Sequence, residues 1–141
     1  MNQIYTAKLY HDFPHLYRGR TQPRTESAMS YGFLCGDGWF RIIHDLSANI
    51  ADHLNKHPEL DLEVFQVKRK FGVLNFQLVC SNSPYTHGDQ TIHELIANAQ
   101  IESAQICEVC GIPGCSQEEN GLQGVLCSNC AKDRQSYAIL F

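Results

Sequence analysis

The chain predicts an α+β fold: an amphipathic helix, a β-hairpin, a second helix and a small C-terminal module pinned by cysteines. Three observations carry that reading. Apolar residues recur at three- and four-residue steps over two stretches, the periodicity of a helix buried on one face. Between them, residues 61–80 alternate apolar and polar positions with period two, as half-covered strands do. Beyond the second helical stretch, four of the seven cysteines form two Cys-x2-Cys pairs.

With 141 residues the chain has the length of one domain carrying a small appended module. The division expected is a core over 1–106, opening with an irregular segment, and a cysteine module with a tail over 107–141. Residues 1–31 are polar, with Tyr5, Tyr10, Phe13, Tyr17 and Tyr31 scattered through them. Arg18–Ser30 has three arginines and turn composition, which suits a linker or binding loop better than a helix.

The first helix is expected at about 38–57. Asp37 precedes it, where a side-chain oxygen caps free backbone N–H groups. Trp39, Ile43, Leu46, Ile50, Leu54 and His57 share one face, and Pro58 ends the helix. Two strands follow, at about 61–68 and 73–80, around a tight turn near Arg69–Gly72. Leu74, Phe76, Leu78 and Cys80 share one face of the second strand, and both strands are expected to pack on the first helix. A polar loop leads to Thr91 and Glu94, spaced as a capping box. The second helix, about 92–106, buries Ile92, Leu95, Ile96, Ala99, Ser103 and Ile106 and runs into Cys107.

Cys107-x2-Cys110 and Cys127-x2-Cys130 are separated by sixteen residues, which fits a four-cysteine zinc ribbon. Two residues between cysteines let a turn aim both sulfurs at one ion, and two such turns complete a tetrahedron. Four thiolates leave no position for water or substrate, so the Zn2+ expected here is single and structural. Cys115 reads as a replacement ligand, a free loop thiol or the filler of a small apolar site. Cys35 and Cys80 read as core thiols. A thioredoxin-like pair would open a helix, whereas Cys107 follows one.

No catalytic constellation emerges. His93-Glu94 lacks the second histidine of HExxH and the spacing of a zinc deaminase. His53 and His57 share a helix face without a third ligand, His11 and His15 flank Pro14, and Glu118-Glu119 reads as a solvated tip. The chain is therefore expected not to be an enzyme.

No segment has the apolar length of a membrane span, and MNQIYTAKLYHDF lacks the basic and apolar regions of a secretory signal. The expected setting is cytoplasmic, where closely spaced thiols bind metal more often than they form disulfides. A net charge of −4 argues against broad counterion-driven nucleic-acid binding and favours a protein partner. The best contact candidates are Lys68, Arg69, Lys70 and Phe71, cations beside an aromatic at the hairpin tip, with Arg18, Arg20, Arg24, Lys132 and Arg134 able to enlarge the patch if they fold nearby. That arrangement can hold phosphate while stacking a base; otherwise it is a solvated turn that blunts a sheet edge. The apolar C-terminus, SYAILF, reads as a docked strand or a partner contact.

Three motifs, Gly32-Phe33-x-Cys35-Gly36-Asp37-Gly38-Trp39-Phe40, Gln66-Val67-Lys68-x-Lys70-Phe71-Gly72-x-Leu74 and Ile106-Cys107-Glu108-x-Cys110-Gly111, together resemble small zinc-ribbon proteins of phages and prophages. The chain departs from that pattern at Asn75, where an Arg is expected, and at Val73, where a small residue is. The resemblance implies a phage or mobile-element setting and supplies no activity. The expected role is a non-enzymatic interaction protein that binds and inhibits a host protein or protein–nucleic-acid complex, such as a defence (anti-CRISPR-like) or nucleic-acid-processing machine. The alternative is a nucleic-acid-binding ribbon that uses the basic turn.

Overall fold

A computed structural model describes residues 1–80, 89–119 and 121–133. Among these, the chain is a mixed α+β structure with four α-helices and two small sheets. The sequence-expected polar loop after Cys80, Arg134 and the SYAILF tail lie outside the described residues, apart from Asp89 and Gln90 at the loop's end.

The N-terminal segment is a correction. Residues Gln3–Asp12 form helix α1, capped by Asn2, whose side chain accepts from the Tyr5 N–H at 2.8 Å. Only Leu9 of this helix is fully buried. Its remaining support is local and aromatic: Tyr5 stacks on Phe40 at 4.3 Å, and Lys8 pairs with Asp12 one turn on. A helix with one core residue leaves almost no apolar periodicity to read.

Arg18–Ser30 is likewise part of the folded body. Two short 3-10 turns, Arg18–Thr21 and Ala28–Tyr31, flank it, and Tyr17, Met29 and Ser27 are buried. The Tyr17 hydroxyl meets Ser47 Oγ at 2.6 Å, and the Val64 N–H donates to the Leu16 carbonyl at 2.8 Å. Arg18 reaches Asp61 at 2.8 Å and Glu63 at 2.7 Å.

Strand β1 (Phe33–Leu34) pairs in parallel with β2 (Leu62–Lys70), which pairs antiparallel with β3 (Val73–Cys80), giving the order β1-β2-β3. The register slips at Phe65, a bulge between Val64 and Gln66. Val67 faces Phe76 and Arg69 faces Leu74, so the core face ends in a cation. Lys68 pairs with Asn75 and Lys70 with Val73 on the other face. Helix α2 (Phe40–Lys56) lies within two residues of the expected span and buries Ile43, Leu46 and Ile50, with Trp39 buried just before it. Asp37 does not cap it. Its carboxylate accepts from the backbone and side chain of Asn2 at 2.6 and 3.0 Å, tying the start of α1 to the turn before α2.

Helix α3 (Gln90–Ser103) packs on α2 and β3. Its cap is Asp89, which accepts from the Ile92 N–H, in place of the expected Thr91–Glu94 box; Glu94 instead accepts from Gln90. Ile92, Ala99 and Ser103 are buried, and Ser103 Oγ accepts from the Leu74 N–H at 2.9 Å. The core joins residues of α1, α2, α3, both long strands and Val125. A hairpin of β4 (Cys115–Glu119) and β5 (Leu122–Leu126) and a short helix α4 (Ser128–Lys132) complete the described chain. No helix among the described residues is long and apolar enough to cross a membrane.

Candidate metal centre and the hairpin beside it

The sulfurs of Cys107, Cys110, Cys127 and Cys130 lie within 4.8 Å of one another, and those of Cys110 and Cys127 are 3.7 Å apart. A tetrahedron with metal–sulfur bonds of about 2.3 Å sets its sulfurs about 3.8 Å apart, so one ion fits between them. All four are free thiols. Among the described residues they form the one cluster of at least three potential ligands.

Two turns aim these sulfurs. In the first, the Gly111 N–H donates to the Cys107 carbonyl at 2.9 Å, and Gly111 takes φ +81°, which a side chain would oppose. The Cys107 N–H donates to Ile112 O, and Ile106 bridges Pro113, so the turn is closed on both sides. In the second, Cys127 caps α4: its sulfur accepts from the Cys130 N–H at 3.4 Å, a bond that pulls this thiol down to about 7. Cys115 sits exposed on β4, outside the cluster, where Gln117 Nε2 approaches its sulfur at 3.3 Å. Cys35 is buried, and burial pushes its thiol up to about 12, as expected of a core cysteine; Cys80 is only half-buried.

The first turn is joined to the core by a buried carboxylate that spacing alone does not reveal. Glu108 stands between two cysteines of the cluster yet is 1 % exposed. Its Oε1 accepts from the Gly36 N–H at 2.9 Å, and its Oε2 lies 3.6 Å from Arg69 Nη1. Burial raises its pKa, while the Gly36 N–H and Arg69 oppose the rise. The Glu108 carbonyl accepts from the Gly38 N–H at 2.8 Å, and the buried Trp39 ring donates from Nε1 to Ile106 O at 2.9 Å. A Cβ at position 36 or 38 would collide with the carbonyls of Glu108 or Cys107, so both positions need glycine for close approach. The segments 32–40, 66–74 and 106–111 therefore meet at one place. A cavity of about 500 Å³ lies beside it, with Phe33, Leu34, Asp37, Arg69 and Glu108 in its lining.

The basic tract divides between interior and surface. Arg69 turns to Glu108, Arg18 to Asp61 and Glu63, and Arg20 to the carbonyls of Pro14 and Tyr17, with its guanidinium 5.1 Å from the Tyr10 ring. Arg24 lies over Tyr31 at 4.6 Å. The expected turn Arg69–Gly72 is shorter than that: Lys70 still pairs with Val73, and only Phe71 and Gly72 link the strands. Phe71 is 81 % exposed, with φ +52°, and Lys70 Nζ lies 5.6 Å from its ring. Two-residue hairpin turns of this kind favour Asn-Gly, because a left-handed L-residue costs about 1–2 kcal/mol. Gly72 rests against Gln123 of β5.

The histidines have local roles. His53 Nε2 meets Asp89 at 2.9 Å and its ring lies 4.4 Å from that of His57; His44 meets Asp12 at 2.8 Å. His11 pairs with Asp12, and His15 with Asp61. Glu118 is exposed on β4. The chain matches no family model, no curated protein and no solved structure.

Proposed function

We propose that this chain is a non-enzymatic, zinc-stabilised interaction protein of the phage and prophage type, which binds and inhibits a host protein complex such as a defence (anti-CRISPR-like) or nucleic-acid-processing machine. The observation that carries the reading is the closed four-thiolate cluster, joined to the core through Glu108, Gly38 and Trp39. An ion held by four protein sulfurs has no position left for substrate, so its work is structural. Zinc is the ion of choice because tetrahedral all-sulfur coordination suits it. Binding it contributes on the order of 10 kcal/mol to local folding. The cluster and the buried carboxylate together make a stiff mount for the neighbouring hairpin. In this reading the two cysteine turns and the β4–β5 hairpin are a zinc ribbon, and function lies on the surface it stiffens.

The test is affinity capture from host lysate with the zinc-loaded protein as bait. A stoichiometric protein partner whose activity falls on binding is the expected result. Recovery of none, with metal content at one zinc per chain, defeats the reading. Nucleic-acid binding through the basic turn is the rival. It gains from the exposed Phe71 and loses from the pairing of Arg18, Arg20 and Arg69 within the fold.

A further inference from the structure

We infer that the β2–β3 tip is the anchor of the partner interface, and that the partner is a protein presenting an apolar socket rimmed by carboxylates. The inference deepens the function proposed above and rests on it.

The tip combines features that are unfavourable for the isolated chain. A large aromatic stands 81 % exposed, in a backbone conformation that glycine or asparagine would adopt more easily. Strain of this sort, held by surrounding structure, concentrates where a residue is displayed for function. The surroundings do hold it. Gly72 abuts Gln123, Arg69 is drawn to Glu108, and Glu108 is anchored between two ligand cysteines. Phe71 is thus presented on a rigid support, so little ordering entropy remains to be lost on binding. Exposed aromatics that fill a partner's pocket are the usual energetic centre of an interface.

Charge decides the partner's chemistry. Lys68 and Lys70 share the outer sheet face next to Phe71, with the exposed Leu34 beside Lys68 in register. Two lysines around an apolar knob complement acidic groups around an apolar hole. They are too few for nucleic acid, which needs a run of cations to displace counterions, and the chain carries a net charge of −4.

The experiment places benzoylphenylalanine at position 71, and at the exposed Ile4 of α1 as control, for photo-crosslinking in host lysate. The expected product is one discrete protein adduct from position 71, with the crosslinked peptide apolar and flanked by Asp or Glu. It should be lost on combined Lys68→Glu and Lys70→Glu exchange. Phe71→Asn supplies a second readout. Relief of the left-handed strain should raise Tm by about 2–4 °C, while affinity for the identified partner falls about thirtyfold. A structural role for Phe71 would lower Tm instead. A nuclease-sensitive adduct, or crosslinking equal to that at position 4, overturns the inference. If wild-type bait captures a stoichiometric partner that Phe71→Asn binds equally well, the docking site is wrong and the proposed function survives. If wild-type bait captures none, the proposed function fails, and this inference with it.

Discussion

Replacing Gly38 by Ala should weaken a metal centre whose ligands all lie far away in sequence. The new Cβ would stand 2.6 Å from the Gly111 nitrogen and 2.7 Å from the Glu108 carbonyl carbon, and nearer still to the Cys107 carbonyl oxygen. All three are backbone atoms, so no rotamer change relieves the overlap, and the turn must retreat by about 1 Å to restore ordinary contact. The retreat lengthens the Gly38 N–H bond to Glu108 O, now 2.8 Å, at a loss of about 1 kcal/mol. Overpacking adds about 1–3 kcal/mol. The sum, about 2–4 kcal/mol, corresponds to a drop in Tm of about 6–12 °C at this chain length. Because Cys107 moves with its carbonyl, affinity for the metal should fall about 10–100-fold, the range seen when the supports of a ligand are disturbed. Circular dichroism melts of the loaded protein give the first quantity, and competition with a chromogenic chelator the second. Gly121→Ala is the control: φ is +79° there, but nothing lies within 4 Å, so it should cost about 1 kcal/mol and leave zinc affinity unchanged. A Gly38→Ala variant that melts with the parent and holds zinc as tightly would refute the close-approach argument.

Cys107→Ser or Cys127→Ser should reduce bound zinc well below one per chain and lower the melting temperature, whereas Cys115→Ser should leave both unchanged, as read by elemental analysis and calorimetry. Arg18→Ala removes the partner of Asp61 and Glu63 and should destabilise by about 1–3 kcal/mol in urea titrations, the partial exposure of all three side chains keeping it below a fully buried pair. Acid should destabilise through Asp12 and Asp89. Lys8 and His44 hold Asp12 well below the usual carboxylate range, and His53 with the Ile92 N–H lowers Asp89. Folded values below unfolded ones give stability that is full above about pH 4–5 and lost as pH falls. Asp12→Asn with Asp89→Asn, which keeps the cap oxygen, should flatten the acid limb of a pH–stability curve; an unchanged slope would count against both pairs.

How legible each part is in the sequence follows from what stabilises it. Helix α2, both long strands and the burial face of α3 are readable because burial imposes a period. The two cysteine pairs are readable because coordination imposes a spacing. Helix α1 is hidden by having one buried residue, and the 13–31 segment because its support is a side-chain network. Neither leaves a periodic trace. The pairing of Arg69 with Glu108 escapes notice for a related reason: one sits in a run of cations and the other between two clustered cysteines, both contexts that read as surface. The register of Arg69 with Leu74 on the core face, together with its approach to Glu108, shows that the cation turns inward.

The meeting of the glycine turn with the first cysteine turn also dictates an order of events. Gly36 and Glu108 are 72 positions apart, and Trp39 and Ile106 are 67 apart. Closing a loop of that length costs about 4 kcal/mol of chain entropy before any contact rewards it. Helix α2 and the β2–β3 hairpin form from near neighbours and can assemble first. Tight metal capture by the four-cysteine cluster would then wait for the chain to come round on itself, so the rate of metal uptake during refolding would be a clock for completion of the fold.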